Sequence, residues 1–163
     1  MITLVLGGAR SGKSEVAERL AARLGPAVTY VATATVTDEE MAERIEAHRR
    51  RRPPQWSTVE SEADLAGLVR ALEGPVLVDG LGVWLARQAG FRADGDELAQ
   101  ALSQRDHPAV VVSDEVGLGV HPSTEAGRHF RDALGLLNRS VAAVADEVLL
   151  VVAGRVLRLD AVG

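Results

Sequence analysis

Short runs of valine, leucine and isoleucine alternate along the chain with longer amphipathic stretches. The runs predict β-strands at residues 2–6, 27–33, 75–78, 109–113 and 148–152. Apolar positions at helical spacing predict helices at residues 12–24, 38–50, 62–72, 83–88, 95–103 and 124–145. Because the strands are almost continuously apolar, both faces of their sheet are expected to be covered. The alternation therefore predicts an α/β fold with a mainly parallel sheet and helices on both faces.

Local sequence signals predict the turns and the helix ends. Residues 37–40 and 61–64 each resemble a capping box that opens a helix. Gly154-Arg155 is predicted to form a tight turn that folds residues 156–159 back as an antiparallel edge strand. The chain contains no internal repeat, low-complexity segment or linker, so residues 1–163 are predicted to form a single domain.

A phosphate-binding loop follows the first predicted strand. Residues 7–14 match the pattern G-x-x-x-x-G-K-[ST], between an apolar strand and an amphipathic helix. In such a loop Lys13 reaches the β- and γ-phosphates, and the Ser14 hydroxyl binds Mg²⁺. The alternative is a glycine-rich turn with an accidental Lys-Ser pair. We predict a nucleoside triphosphate site formed by Gly7, Gly8, Ala9, Arg10, Ser11, Gly12, Lys13 and Ser14.

The composition bears on this loop and narrows the classes of function. Lys13 is the only lysine beside 17 arginines, which indicates a position that needs a compact ammonium group. The formal charge of −5 disfavours a nucleic-acid partner, and the lack of cysteine excludes disulfides and thiolate chemistry. No apolar run approaches the roughly 18 residues that span a bilayer. We expect a cytoplasmic protein without a membrane span.

A site for Mg²⁺ also requires a carboxylate at the end of a neighbouring strand. Asp79 follows one predicted strand, and Asp114 and Glu115 follow another. Ligands in open α/β sheets bind beyond the carboxyl ends of the strands, where these residues would lie. The alternative for each of them is a helix cap or a turn carboxylate.

His48 lies near the end of a predicted helix and is followed by a run of four arginines, Arg49 to Arg52. Met41, Ile45 and His48 share one helical face, so the imidazole would face inward. Neighbouring guanidinium groups favour a neutral ring, which is the form that acts as a nucleophile. The alternative is a solvated basic helix end that complements the helix dipole, and on the residues alone this alternative is favoured.

Several motifs occur in one order along the chain and together resemble a known family. They are the phosphate loop, Tyr-Val-Ala-Thr-Ala at 30–34, Arg-Ile-x-x-His-Arg-x-x-Arg-Pro-x-x-Trp at 44–56 and Glu-Val-Gly-x-Gly-x-x-Pro at 115–122. This series resembles the adenosylcobinamide kinase / adenosylcobinamide-phosphate guanylyltransferase family of cobalamin biosynthesis. The resemblance spans almost the whole chain.

The resemblance implies a bifunctional enzyme with a RecA-like P-loop domain, generally homotrimeric. Such an enzyme phosphorylates adenosylcobinamide with GTP or ATP and then transfers GMP from GTP onto that phosphate through a guanylylated histidine. The nucleophile falls on His48, with Lys13 as the other catalytic residue and with Ser14 and Asp79 as ligands of Mg²⁺. Further nucleotide contacts fall on Ala32, Thr33, Ala34, Arg49, Arg50, Arg51, Arg52, Glu60 and Asp79.

Three features depart from the family pattern. Residues 80–82 read Gly-Leu-Gly where the family usually has Cys-Leu-Thr, Asp114 replaces an asparagine, and the segment 89–107 is shorter than is common. Two alternative functions also follow from the phosphate loop: a small-molecule kinase without guanylyl transfer, and a nucleotide-binding module without enzymatic activity.

Overall fold

The computed structural model describes residues 1–34, 46, 49–50 and 52–161. Most of the helix predicted at 38–50 lies outside these residues, as do the capping box at 37–40, His48 and Arg51.

The apolar runs form the strands of one sheet. Within the described residues this sheet has seven strands in the order β3-β2-β4-β5-β1-β6-β7. Every neighbouring pair is parallel except β6 and β7, which are antiparallel. The predicted mainly parallel sheet with an antiparallel edge strand is therefore confirmed. The strands are β1 (Ile2–Gly7), β2 (Thr29–Ala32), β3 (Ser57–Glu60), β4 (Val76–Asp79), β5 (Ala109–Asp114), β6 (Glu147–Val152) and β7 (Arg155–Leu159).

The helices connect the strands and differ from their predicted bounds mainly at the ends. They are α1 (Lys13–Ala21), α2 (Leu65–Ala71), α3 (Leu81–Ala86), α4 (Gly95–Ser103) and α5 (Glu125–Val144), with a short 3₁₀ turn at Ala89–Phe91. α4 begins and ends at its predicted residues. α3 begins two residues early because Gly80 adopts a left-handed conformation that turns the chain directly from β4 into the helix.

Two apolar clusters cover opposite faces of the sheet. Leu4 and Val111 pack with residues of α2, α3, α4 and α5, whereas Val5 and Val110 pack with residues of α1. Neighbouring residues of one strand thus point to opposite faces, as the pleat of a strand requires. Apolar side chains cover both faces of the sheet, which confirms the expectation drawn from the continuously apolar strands.

The structure corrects three local predictions. β3 was not predicted, because Ser-Thr-Val-Glu is a short and largely exposed edge strand that only its pairing with β2 reveals. The β6–β7 turn consists of Ala153 and Gly154, both with positive φ, so it lies one residue earlier than predicted. The box at 61–64 does not cap α2 through its serine, because Asp64 is the N-cap and accepts a hydrogen bond from the amide of Gly67 at 2.7 Å.

Candidate nucleotide and metal site

The predicted phosphate loop joins the end of β1 to the start of α1. Gly12 has a φ of 91°, and a Cβ on Gly7 would lie 2.8 Å from the carbonyl oxygen of Val151. Both positions therefore require glycine, one for its backbone conformation and one for close packing. The first amides of α1 point toward the loop, and a helix N-terminus favours anions there. The local geometry is that of a phosphate-binding loop.

The Lys13 side chain lies over this loop and is only 16% exposed. Its ammonium donates to the carbonyl oxygen of Gly8 at 3.2 Å and forms an ion pair with Oδ1 of Asp114 at 2.9 Å. The side-chain amide of Asn138 donates to the Asp114 carbonyl at 3.1 Å, which anchors the end of β5 to α5. The ammonium is thus held at the loop by two partners within the protein.

Ser14 and Asp79 form a pair of oxygen donors beside the loop. The Ser14 hydroxyl donates to Oδ1 of Asp79 at 3.2 Å. Mg²⁺ in nucleotide sites commonly takes one or two protein oxygens and completes its shell with phosphate oxygens and water. A hydroxyl and a carboxylate at this separation fit that requirement. In the part of the chain described here, no group of three or more histidine, aspartate or glutamate side chains forms a separate metal site.

The structure separates the acidic candidates by what they touch. Asp79 lies against Ser14, whereas Asp114 lies against Lys13. The carboxylate of Glu115 accepts hydrogen bonds from the amides of Gly117 and Leu118, at 2.9 to 3.1 Å, so it fixes the turn that follows β5. Asp79 is therefore the carboxylate placed to act with Ser14.

The second oxygen of the Asp79 carboxylate has a partner that the sequence did not single out. The hydroxyl of Tyr30 donates to Oδ2 of Asp79 at 2.7 Å. Burial raises the pKa of Tyr30 well above its ordinary value, and the negative charge and hydrogen bond of Asp79 raise it further. The motif at 30–34 contains this tyrosine, but only the neighbouring position of β2 and β4 shows that it reaches the carboxylate.

The other residues predicted on β2 and β3 lie at the same edge of the sheet. Ala32 pairs in register with both Glu60 and Asp79, so these three residues form a line across the carboxyl ends of the strands. Thr33 is fully buried, and its hydroxyl lies 2.7 and 2.8 Å from the carbonyl oxygens of Asp79 and Gly80. The Thr33 hydroxyl therefore holds the backbone at the end of β4, next to the Asp79 carboxylate.

Arg87 also supports this edge and was not predicted. Its guanidinium donates to the carbonyl oxygen of Thr33 at 2.7 Å and to that of Ser61 at 3.3 Å. It thereby ties together the segments that leave β2 and β3. No motif marked this residue, because its partners are backbone carbonyls distant in sequence.

The arginine run is described in part. The Arg52 guanidinium stacks over the ring of Tyr30, with Cζ 3.6 Å from the ring centroid, and donates to the Thr58 hydroxyl at 3.1 Å. Arg49 and Arg50 are exposed, and Arg50 contacts Glu46 at 3.3 Å. Of the predicted nucleotide-binding residues, Arg51 lies outside the described part, as does the predicted nucleophile His48.

No helix in the described ranges is long and apolar enough to cross a membrane.

Two solved structures resemble the fold of this chain at low sequence identity. The chain resembles a KaiC-like protein from Pyrococcus horikoshii with a TM-score of 0.50 and 15% identity, covering 91% of this chain and 71% of that one. It resembles the VirB11 ATPase of the Brucella suis type IV secretion system with a TM-score of 0.51 and 12% identity, covering 98% of this chain. The chain matches about half of that ATPase, 48% of its length. These likenesses confirm the predicted P-loop NTPase fold.

Relatives found by sequence share far more identical residues with the chain than these solved structures do. The chain is 42% identical over 163 residues to the "Bifunctional adenosylcobalamin biosynthesis protein CobP" of Pseudomonas aeruginosa, covering 94% of each chain. It is 38% identical over 176 residues to the "Bifunctional adenosylcobalamin biosynthesis protein CobU" of Escherichia coli, covering 94% of this chain and 97% of that one. Residues 3–159 match the family model described as "CobU: Cobinamide kinase / cobinamide phosphate guanyltransferase". The chain therefore belongs to the cobinamide kinase / cobinamide phosphate guanyltransferase family.

Proposed function

We propose that this protein phosphorylates adenosylcobinamide with a nucleoside triphosphate and then transfers GMP from GTP onto the new phosphate. The observation that carries the proposal is the placement of Lys13, Ser14 and Asp79 around one phosphate loop at the carboxyl edge of the sheet. Family membership supports the choice of substrates.

In the kinase step, the loop amides and Lys13 hold the β- and γ-phosphates. The substrate hydroxyl oxygen forms a bond to the γ-phosphorus, the bond to the β–γ bridging oxygen breaks, and the hydroxyl proton leaves to solvent or to a base. Ser14 and Asp79 would hold Mg²⁺, which supplies positive charge to the phosphate oxygens. The contribution of Lys13 is electrostatic, because the ammonium faces the position where charge accumulates.

In the guanylyl step, we propose that His48 is the nucleophile. A neutral imidazole nitrogen attacks the α-phosphorus of GTP, and pyrophosphate leaves. A phosphate oxygen of adenosylcobinamide phosphate then attacks the same phosphorus, which releases the histidine and gives adenosylcobinamide-GDP. We assign to Arg49, Arg50, Arg51 and Arg52 the binding of phosphate oxygens, because guanidinium groups match them in geometry and charge.

Intact-mass measurement after incubation with GTP and Mg²⁺ tests the covalent step. We expect a mass increase of one guanylyl group in the unmodified protein and none in His48→Ala. His107→Ala is the matched control, since His107 is exposed in the loop before β5 and is expected to keep the adduct. Absence of an adduct in every protein, together with phosphorylation of cobinamide, would favour the small-molecule kinase instead.

The remaining expectations are also proposals. We propose GTP or ATP as the phosphate donor, Mg²⁺ as the metal, a homotrimer, a cytoplasmic location and a single domain over residues 1–163. Light scattering coupled to size-exclusion chromatography tests the oligomeric state, and a mass of one or two chains would contradict the trimer.

A further inference from the structure

We propose that Tyr30 is a positioning residue for the metal site. Its hydroxyl holds one oxygen of the Asp79 carboxylate so that the other stays directed at Ser14. The inference rests on the proposed function only in its assignment of Asp79 and Ser14 to the metal, and it concerns a residue that has no role in the mechanism above.

The two oxygens of Asp79 have different partners. Oδ1 accepts from the Ser14 hydroxyl at 3.2 Å, and Oδ2 accepts from the Tyr30 hydroxyl at 2.7 Å. A hydrogen bond to one oxygen of a carboxylate restricts rotation of the whole group. The other oxygen is therefore already oriented toward the metal position.

The Tyr30 ring is itself fixed. Tyr30 is only 7% exposed and packs in the cluster that contains Leu77 and Val112. The Arg52 guanidinium covers the ring with Cζ 3.6 Å from its centroid, a cation–π geometry. A donor whose ring is packed and covered in this way loses little further freedom when its partner binds a metal.

The same contacts connect two parts of the proposed active site. Arg52 belongs to the arginine run that we assign to GTP, and Tyr30 lies between this run and the metal carboxylate. We infer that Tyr30 transmits the placement of the Arg52 segment to Asp79. The orientation of Asp79 therefore depends on a tyrosine that contacts both Arg52 and the carboxylate itself.

Tyr30→Phe is the direct test, because it keeps the ring under Arg52 and removes only the hydroxyl. The readout is the affinity for Mn²⁺ in the presence of GDP, measured by electron paramagnetic resonance of free Mn²⁺. We expect Mn²⁺ binding to weaken about tenfold, the scale seen when a residue that orients a metal ligand is removed. The affinity for GDP in the presence of EDTA is expected to stay unchanged.

Thr29→Val is the matched control. Thr29 precedes Tyr30 on β2, and its hydroxyl pairs with that of Ser57 at 3.1 Å, away from Asp79. This variant is expected to bind Mn²⁺ as the unmodified protein does. Equal Mn²⁺ affinity in Tyr30→Phe and Thr29→Val would overturn the proposal, as would weaker GDP binding in EDTA for Tyr30→Phe alone.

A second measurement needs no substitution. Tyr30 is the only tyrosine in the chain, so growth on 3-fluorotyrosine labels this one position. With GDP present, addition of Mg²⁺ is expected to shift the ¹⁹F resonance, and a resonance that does not respond to Mg²⁺ contradicts the proposal. Both readouts measure binding and do not depend on guanylyl transfer. A protein that forms no guanylyl adduct but shows these metal effects would contradict the proposed function and still support this inference.

Discussion

The ammonium of Lys13 lies 2.9 Å from Oδ1 of Asp114, so the lysine of the phosphate loop is paired with a carboxylate at the end of β5. The pair follows from the sheet, because Gly7 at the start of the loop lies in register with Asp114 on the neighbouring strand. A Cβ on Gly82 would lie 2.5 Å from the other oxygen of Asp114, so glycine at position 82 leaves room for this carboxylate. Two departures from the family pattern, Asp114 and Gly82, thus meet at one place.

Asp114→Asn is expected to strengthen nucleotide binding. An incoming phosphate has to compete with Asp114 for the ammonium, and asparagine keeps the shape of the side chain while it removes the charge. A partly buried ion pair is worth about 1 kcal/mol, which corresponds to an affinity gain of roughly fivefold. Calorimetric titration with GDP measures the affinity of each variant, and the exposed Asp132→Asn is the control. Weaker binding by Asp114→Asn would show that the carboxylate assists the nucleotide instead.

Lys13→Arg is expected to abolish most kinase activity although the charge is kept. The compact ammonium contacts both the Gly8 carbonyl oxygen and Asp114, whereas a guanidinium is larger and holds its donors in a fixed planar fork. We expect a loss of at least about 100-fold in phosphorylation of cobinamide, comparable to removal of one preorganised electrostatic group. Arg23→Lys, an exposed change in the opposite direction, is the control. Activity near that of the unmodified protein would contradict the assigned role.

Two glycine substitutions are expected to change stability in opposite directions. Gly80 has a φ of +105°, and a Cβ there would lie 2.9 Å from the Thr33 hydroxyl oxygen, so Gly80→Ala is expected to destabilise by about 1–3 kcal/mol. Gly135 lies exposed within α5, where a Cβ would meet nothing within 4 Å. Gly135→Ala is expected to stabilise by about 0.5–1 kcal/mol because alanine favours the helix. Urea denaturation measures both, and a stabilised Gly80→Ala would contradict the strained geometry.

The alkaline pH dependence of stability is expected to depend on Tyr30. Its pKa is raised in the folded protein above the ordinary value of about 10, by burial first and then by Asp79. The unfolded chain therefore loses this proton at a lower pH than the folded chain. The stability from the neutral hydroxyl is complete below about pH 10 and is lost as the pH rises above it.

Absorbance at 295 nm follows this titration directly, because the chain has one tyrosine. In metal-free buffer we expect no phenolate signal above pH 10 until the protein unfolds. Urea midpoints between pH 9 and pH 11 should fall more steeply for the unmodified protein than for Tyr30→Phe. A reversible phenolate transition near pH 10 in the folded protein would contradict the buried, hydrogen-bonded hydroxyl.

The elements that the sequence determined are those with a strong local signal. A strand that is buried on both faces must be apolar throughout, so β1, β4, β5 and β6 are visible as runs of valine and leucine. The phosphate loop is equally local, because its glycines, Lys13 and Ser14 act within eight consecutive residues. The hairpin to β7 was predicted with an error of one residue, since Gly154 can share a two-residue turn with either of its neighbours, Ala153 or Arg155.

The tertiary structure decided the relationships between residues that are distant along the chain. β3 has no apolar run, and it exists as a strand because β2 offers it a free edge. The spacing of the residues placed Asp79 and Asp114 at strand ends, and only the family resemblance joined Asp79 with Ser14. Spacing alone could not assign one carboxylate to Ser14 and the other to Lys13, because that assignment depends on the order of the strands in the sheet. The Tyr30–Asp79 bond depends on the same order. Residue types and spacing determine which chemistry the chain carries, and strand order and register determine which groups meet to perform it.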